Sequence, residues 1–205
     1  MSLRFSQDIK ILLEKLASKP LTIGEILQET QERGFSLIIS LLILPFLVPM
    51  PPGLAGVMGV ATCYLGIQMA LGCKYPRLPK PIAQVKFPQG LSRKLLKNVR
   101  RLLIWLEKIV RPRWQKVANN YLIWRINGLC IAWLSILLML PIPLTNSLLG
   151  VNILIISVAT LESDGLLICL GHFLTFLNTL LFGFIAYALW QAPHLLPSYL
   201  SPEFF

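Results

Sequence analysis

An apolar run from Phe35 to Gly72 constrains this chain more than any other feature, because prolines at 45, 49, 51 and 52 interrupt it. Proline removes a backbone donor and clashes with the preceding turn, so this run cannot form one straight helix. Gly53 supplies the permissive backbone that lets the chain reverse. The pattern predicts helix, sharp break, helix, with Pro49, Pro51, Pro52 and Gly53 as the hinge of a hairpin. The same arrangement returns over 127–165, where Leu140-Pro141-Ile142-Pro143 lies over Val48-Pro49-Met50-Pro51 and Pro141 and Pro143 form the second hinge. From first proline to closing glycine is 23 residues in one copy (Pro49 to Gly72) and 24 in the other (Pro141 to Gly165). The reading is an internal duplication. Duplicated, proline-interrupted apolar segments point to a transporter-like site between the repeats.

Charge and hydropathy decide the solvent. A mean hydropathy of +0.68, with 55% hydrophobic and 14% charged residues, exceeds the norms of a soluble domain. The charges are also segregated: 1–34 holds five basic and five acidic side chains, 73–126 holds fourteen basic against one acidic, and 127–205 holds only Glu162, Asp164 and Glu203. The expectation is an all-α integral membrane protein forming a single membrane domain over 1–205. Amphipathic helices occupy 1–34, and hairpin repeats occupy 35–72 and 127–165. A basic loop with an interfacial helix fills 73–126, a last spanning helix covers 166–190, and 191–205 is a tail. The positive-inside rule places 73–126 in the cytoplasm, with both proline corners facing away and the repeats parallel. A nucleic-acid partner is excluded: the basic block lies between membrane segments and carries no binding module. Cys63, Cys73, Cys130 and Cys169 lack metal spacing and read as small buried hydrophobes. No metal or cofactor is expected, and the N-terminus does not resemble a cleavable signal.

Along the chain, Ile9, Leu12, Leu13 and Leu16 recur at helical spacing, and Thr22 with Glu25 forms a capping-box signature for a second surface helix. Phe35–Val48 offers fourteen residues against roughly twenty needed to cross, so it either borrows length from the preceding helix or is re-entrant. Leu54–Leu71 is long enough. It carries ridges of small residues, Ala55-Gly59-Cys63 and Thr62-Gly66-Ala70, that let another helix, including one from a second copy in a homodimer, come close. Gln68 is its one strongly polar residue, expected to make an interhelical hydrogen bond. Leu91–Val110 is a basic amphipathic helix suited to an anionic leaflet. Arg111 and Arg113 follow it, beside Trp114, as lipid-headgroup anchors or as phosphate-recognising forks.

Tyr121–Leu140 reads as a spanning helix with Arg125 near its start, and Asn146 as the cap of a return helix over Ser147–Leu161. Glu162 and Asp164 are two apart at a helix junction and cannot share a face. Arg125 is the expected partner of Glu162, and Asp164 the expected cap of the helix beginning at Gly165. Leu166–Trp190 is the longest apolar run. His172, Thr175 and Thr179 line one face of it, with Asn178 beside them, and this face should look inward.

With both hairpins in view, the chain resembles the bacterial ExoD family of exopolysaccharide synthesis proteins. The carrying residues are Arg33-Gly34-Phe35, Leu44-Pro45, Val48-Pro49-Met50-Pro51-Pro52-Gly53, Gly59, Gln68-Met69 and Gly72. They continue with Leu78-Pro79, Arg111-Pro112-Arg113, Leu140-Pro141-Ile142-Pro143, Asn146 and Glu162-Ser163-Asp164-Gly165. Arg77 stands where the family usually has tryptophan, and Ser163 where it usually has arginine. The resemblance implies a multi-pass inner-membrane protein linked to exopolysaccharide production.

Two functions follow. One is a small carrier or flippase-like protein for a phosphorylated lipid or similar anionic substrate, using Gln68, Arg111, Arg113, Arg125, Asn146, Glu162, Asp164 and His172. The alternative is a non-transporting scaffold for an exopolysaccharide assembly complex. An intramembrane enzyme built on Glu162 and Asp164 ranks last, since two carboxylates without His or Cys ligands are a weak metal signal and no nucleophile–base set is present. A polar cavity between the hairpins would favour transport, and a dry bundle would favour the scaffold.

Overall fold

The computed structural model describes residues 34–47, 54–73, 75–77, 79, 84, 110–140 and 145–195. The N-terminal amphipathic helices, the hinge residues Pro49, Pro51, Pro52, Gly53, Pro141 and Pro143, and the basic helix over 91–109 lie outside the described residues.

Every regular element among the described residues is helical. α1, Gly34–Ile43, is apolar all round and is buried all round, every residue from Phe35 to Phe46 lying inside, as such a helix must. Pro45 withholds an amide from the next turn, and the chain tightens into a 3-10 turn over Leu44–Leu47. At about 1.5 and 2.0 Å per residue the two pieces cover roughly 23 Å, less than the roughly 30 Å of a hydrocarbon core.

α2 spans Leu54–Leu71 and stops in a Schellman motif. Gly72 takes the left-handed conformation (φ 86°), its N–H donates to Met69 O at 3.1 Å, and Cys73 N donates to Gln68 O at 3.0 Å. α3 is a single turn, Gln115–Ala118. α4, Tyr121–Leu138, opens on Asn120, whose side chain accepts the Leu122 N–H at 2.9 Å. α5 runs Thr145–Leu161 and α6 Gly165–Leu195. The turn between α5 and α6 repeats the ending of α2: Asp164 N donates to Ala159 O at 2.9 Å, and Ser163 sits left-handed at φ 55°. The structural counterpart of Gly72 is therefore Ser163. Gly165, matched to Gly72 by proline spacing, instead begins the next helix.

The most extensive contact is α2 against α4. Gly66 and Gly128 let these two backbones touch: a Cβ on Gly66 would lie 2.7 Å from Ala132 N, and one on Gly128 2.5 Å from Ala70 N. Small residues permit this approach where apolar lipid gives no hydrophobic drive. The Thr62-Gly66-Ala70 ridge is thus occupied within the chain.

α1 packs on α5, with Ser147 Oγ 3.3 Å from Phe46 O. At the other end Phe35 meets Trp124 edge to face at 5.8 Å between ring centroids. The start of α1, the end of α2, the start of α4, the end of α5 and the start of α6 therefore share one end of the bundle. The segments flanking both proline runs share the other. Every described charged side chain (Arg77, Arg111, Arg113, Lys116, Arg125, Glu162 and Asp164) belongs to that first end, hereafter the basic end.

The surface is apolar and the interior partly polar. Phe173, Phe176, Phe184 and Trp190 are exposed, while Ser40, Thr62, Asn127, Ser135, Asn152 and Ser157 are buried. Among the described residues, two helices are long and apolar enough to cross a membrane, Tyr121–Leu138 and Gly165–Ala188, and three are shorter and apolar.

Candidate functional site

At the basic end, Asp164 is a joint. It is 1% exposed, and its Oδ1 accepts the N–H groups of Leu166 and Leu167 at 3.2 Å each, capping α6 as its sequence position predicts. Its Oδ2 accepts the backbone N–H of Arg111 at 2.9 Å, while Gly165 N donates to Arg113 O at 2.7 Å. The Arg111-Pro112-Arg113 segment is thereby pinned by its backbone, and both guanidinium side chains stay exposed. Two planar forks held by a rigid backbone suit a phosphate or carboxylate oxygen pair.

Arg125 is held against the end of α2. Its Nε donates to Ala70 O at 2.7 Å, and its guanidinium lies 5.8 Å over the Tyr121 ring. The reason is local: α2 ends with Gln68 O and Met69 O satisfied by its own cap, leaving Ala70 O at the negative end of the helix for a cation. These are the contacts the structure gives Arg125, for which Glu162 is the expected partner; Glu162 lies half-buried in the turn, its N–H donating to Val158 O.

Gln68 grips backbone, not another helix: Nε2 donates to Arg77 O at 2.5 Å, and Oε1 accepts Arg77 N at 2.9 Å. Asn146 lies within the first turn of α5, which begins two residues earlier than expected, and its buried Oδ1 has no hydrogen-bond partner among the described residues.

Deeper in the bundle, polar side chains of α4, α5 and α6 form a seam. His172 Nε2 lies 2.8 Å from Asn127 Oδ1. Asn127 Nδ2 donates to Thr160 Oγ1 at 2.9 Å, and Thr160 donates to Ile156 O at 2.7 Å. Because Asn127 spends its donor on Thr160, its oxygen must accept, which assigns the proton of the histidine pair to Nε2. The next layer holds Asn152, Thr175 and Asn178, all buried. With the Asn152 amide oriented to satisfy both its atoms, Nδ2 donates to Gly171 O at 3.1 Å and Oδ1 accepts Asn178 Nδ2 at 3.2 Å. Trp133 Nε1 donates to Thr179 Oγ1 at 3.0 Å beside this layer.

A groove of about 900 Å³ opens between α5 and α6 at the end away from the arginines. Leu148, Val151, Leu177, Leu181 and Phe184 wall it, and Ser147, Asn152 and Asn178 also line it. Among the described residues no trio of His, Cys, Asp or Glu is placed to hold a metal ion.

The structure thus brings His172 into a network and ties Asp164 to the Arg111–Arg113 backbone, but it sets Gln68, Arg125 and Asn146 apart from both. Asn127, Asn152 and Thr160 were not singled out in the sequence. Their signal was an asparagine interrupting each of two apolar helices, a costly placement in lipid unless satisfied.

The family described as "Exopolysaccharide synthesis, ExoD" matches residues 5–184 of the chain. The chain is similar to Protein ExoD of Rhizobium meliloti (strain 1021), 34% identical over 188 residues, which cover 88% of this chain and 77% of that protein. It is also similar to an uncharacterised protein of Synechocystis sp., 28% identical over 166 residues, covering 80% and 78% of the two chains. No solved structure matches it significantly.

Proposed function

The chain belongs to the ExoD family of exopolysaccharide synthesis proteins, and from that membership and the geometry above we propose that it is a multi-pass membrane protein that moves a lipid-linked anionic substrate between leaflets. In this reading two proline-broken hairpins, α1–α2 and α4–α5, are parallel repeats. Contacts of α2 with α4 and of α1 with α5 support it, since exchanging the repeats exchanges those two contacts. The basic end faces the cytoplasm, following the positive-inside rule.

The observation that carries the transport reading is the polar seam along α6, from His172 through Thr175 to Asn178, met at its far end by a groove open to lipid. Ionisable groups inside a membrane are expensive and are functional-site candidates by default. The seam lies between the second hairpin and α6, not between the repeats, where α2 and α4 meet backbone to backbone. Arg111 and Arg113 receive the anionic headgroup at the basic end. The test is transbilayer movement of a fluorescent polyprenyl phosphate in liposomes holding the purified protein. The reading expects movement above protein-free liposomes, slowed by Arg111→Ala with Arg113→Ala. Equal rates with and without protein would end it.

The second reading is a scaffold for an exopolysaccharide assembly complex. It is favoured by the backbone-close packing at Gly66 and Gly128, which joins α2 directly to α4. It predicts copurifying synthesis proteins and no lipid movement.

A further inference from the structure

Asn178 does something the carrier reading alone does not require. It is 5% exposed and lines the α5–α6 groove. Its Nδ2 is committed to Asn152 Oδ1 at 3.2 Å, and its own Oδ1 accepts no hydrogen bond from the described residues. This oxygen belongs to a groove-lining residue and is not among the enclosed unpartnered atoms, so it is reachable from the groove, and only a hydroxyl or an N–H can supply its hydrogen bond. Phosphate oxygens and hydrocarbon cannot. Among the described residues no charged side chain lines the groove, and Ser147, Asn152 and Asn178 offer hydroxyl and carboxamide groups.

We propose that this groove binds the uncharged, hydroxyl-bearing part of a lipid headgroup as it crosses, with Asn178 Oδ1 accepting a headgroup hydroxyl and the chains lying against Leu148, Val151, Leu177, Leu181 and Phe184. Asn178 lies thirteen residues along α6 from Gly165, about 20 Å in from the basic end across a hydrocarbon core of roughly 30 Å. A resting lipid keeps its polar group at the interface and never meets this oxygen. The open side of the groove leaves the chains in the bilayer while the headgroup follows the floor. The substrate class is a lipid carrying a neutral, hydroxyl-rich group such as a saccharide.

This inference rests on the carrier reading, and its test separates the two. The full-length protein is placed in nanodiscs with one of two photo-crosslinking lipids of identical chains. One is a glucosyl diacylglycerol with a diazirine on the sugar, and the other a phosphatidylcholine with a diazirine on the choline group. The sugar probe is expected to label the peptides around Leu148–Asn152 and Leu174–Phe184 about tenfold more than the choline probe, the worth of one good hydrogen bond. Asn178→Leu should abolish the excess and Asn178→Gln, which keeps an acceptor, should restore much of it, both with wild-type elution. Equal labelling by the two probes, or labelling confined to the ends of α6, would overturn the site. Labelling as expected without lipid movement in the liposome assay keeps the site and removes the carrier reading. Movement without groove labelling does the reverse.

Discussion

His172 donates from Nε2 to Asn127 Oδ1 at 2.8 Å, a bond that joins α6 to α4 through the buried middle of the bundle. Thr160 of α5 completes the layer through Asn127 Nδ2, so three helices share one polar link. Interhelical hydrogen bonds in membranes average about 0.6 kcal/mol and reach about 1.7. Because the two residues act on one bond, His172→Leu and Asn127→Leu should each destabilise, and the double variant should lose less than their sum. A double-mutant cycle on detergent unfolding measures this coupling. Additive losses would mean that the contact contributes nothing.

Gly66 and Gly128 set the α2–α4 distance. Gly66→Val should force the helices apart, because its Cβ would meet the backbone of Gly128 and Ala132 within 2.9 Å, and backbone cannot yield as a side chain does. Overpacking of this kind costs about 1–3 kcal/mol. Gly56 and Gly183 have open space where a Cβ would go, nothing lying within 4 Å, and Gly183→Ala should leave the melting temperature unchanged. Equal effects at Gly66 and Gly183 would show that crowding is not the cause.

What the sequence made legible followed from signals that act locally. Apolar run length and proline placement located α2, α4 and α6 to within a few residues, since both are properties of one segment. Asp164 as a cap was readable for the same reason: a cap reaches only two or three residues along the chain. The contact of Arg125 with Ala70 O was not legible, because it depends on which helix its face meets. Two carbonyls at the end of α2 are satisfied by the Gly72 turn, and Ala70 O, the remaining attraction, becomes visible only when α2 lies on α4. Gln68 was misread likewise, its partner being an irregular loop at Arg77. The α5–α6 groove had no local signal at all. It lies where residues 147–152 of α5 and 174–184 of α6 come together, a pairing that neither segment announces alone.

The orientation can be read directly. In a cysteine-free background, Arg113→Cys should react with a membrane-impermeant maleimide only after the cells are opened, while Ser147→Cys should react from outside or not at all. The motive is that all described charges gather at the Arg113 end and the basic excess is retained on the cytoplasmic side. Labelling of Arg113→Cys in intact cells would invert the topology.

Asp164→Ala should release two things at once: the cap of α6 and the anchorage of the Arg111 segment. Loss of an N-cap side chain costs about 0.5–2 kcal/mol, so stability should fall by that amount. Amide exchange at Arg111 should accelerate as well, because its N–H bonds to the removed Oδ2. Arg111→Ala keeps that backbone bond and should leave both readouts near wild type. Protection of the Arg111 amide in Asp164→Ala would show that the segment is held by other contacts.

The two helix endings that resemble each other make a sharper test. At Gly72 the left-handed turn falls on a residue with no Cβ, whereas at Ser163 it falls on one that must carry the strain. A left-handed residue with a Cβ costs roughly 1–2 kcal/mol. Ser163→Gly removes that strain but also removes the Ser163 Oγ to Asn119 Oδ1 hydrogen bond of 3.2 Å and adds freedom to the unfolded chain. The bond is exposed and long, so the net should be stabilising by a few tenths of a kcal/mol to about 1. Gly72→Ala should do the opposite and do it more strongly, since its Cβ would also collide with the Tyr121 hydroxyl. Melting of the two variants side by side reads both signs. A fall in melting temperature for Ser163→Gly would show that the turn depends on the serine hydroxyl more than on relief of the backbone.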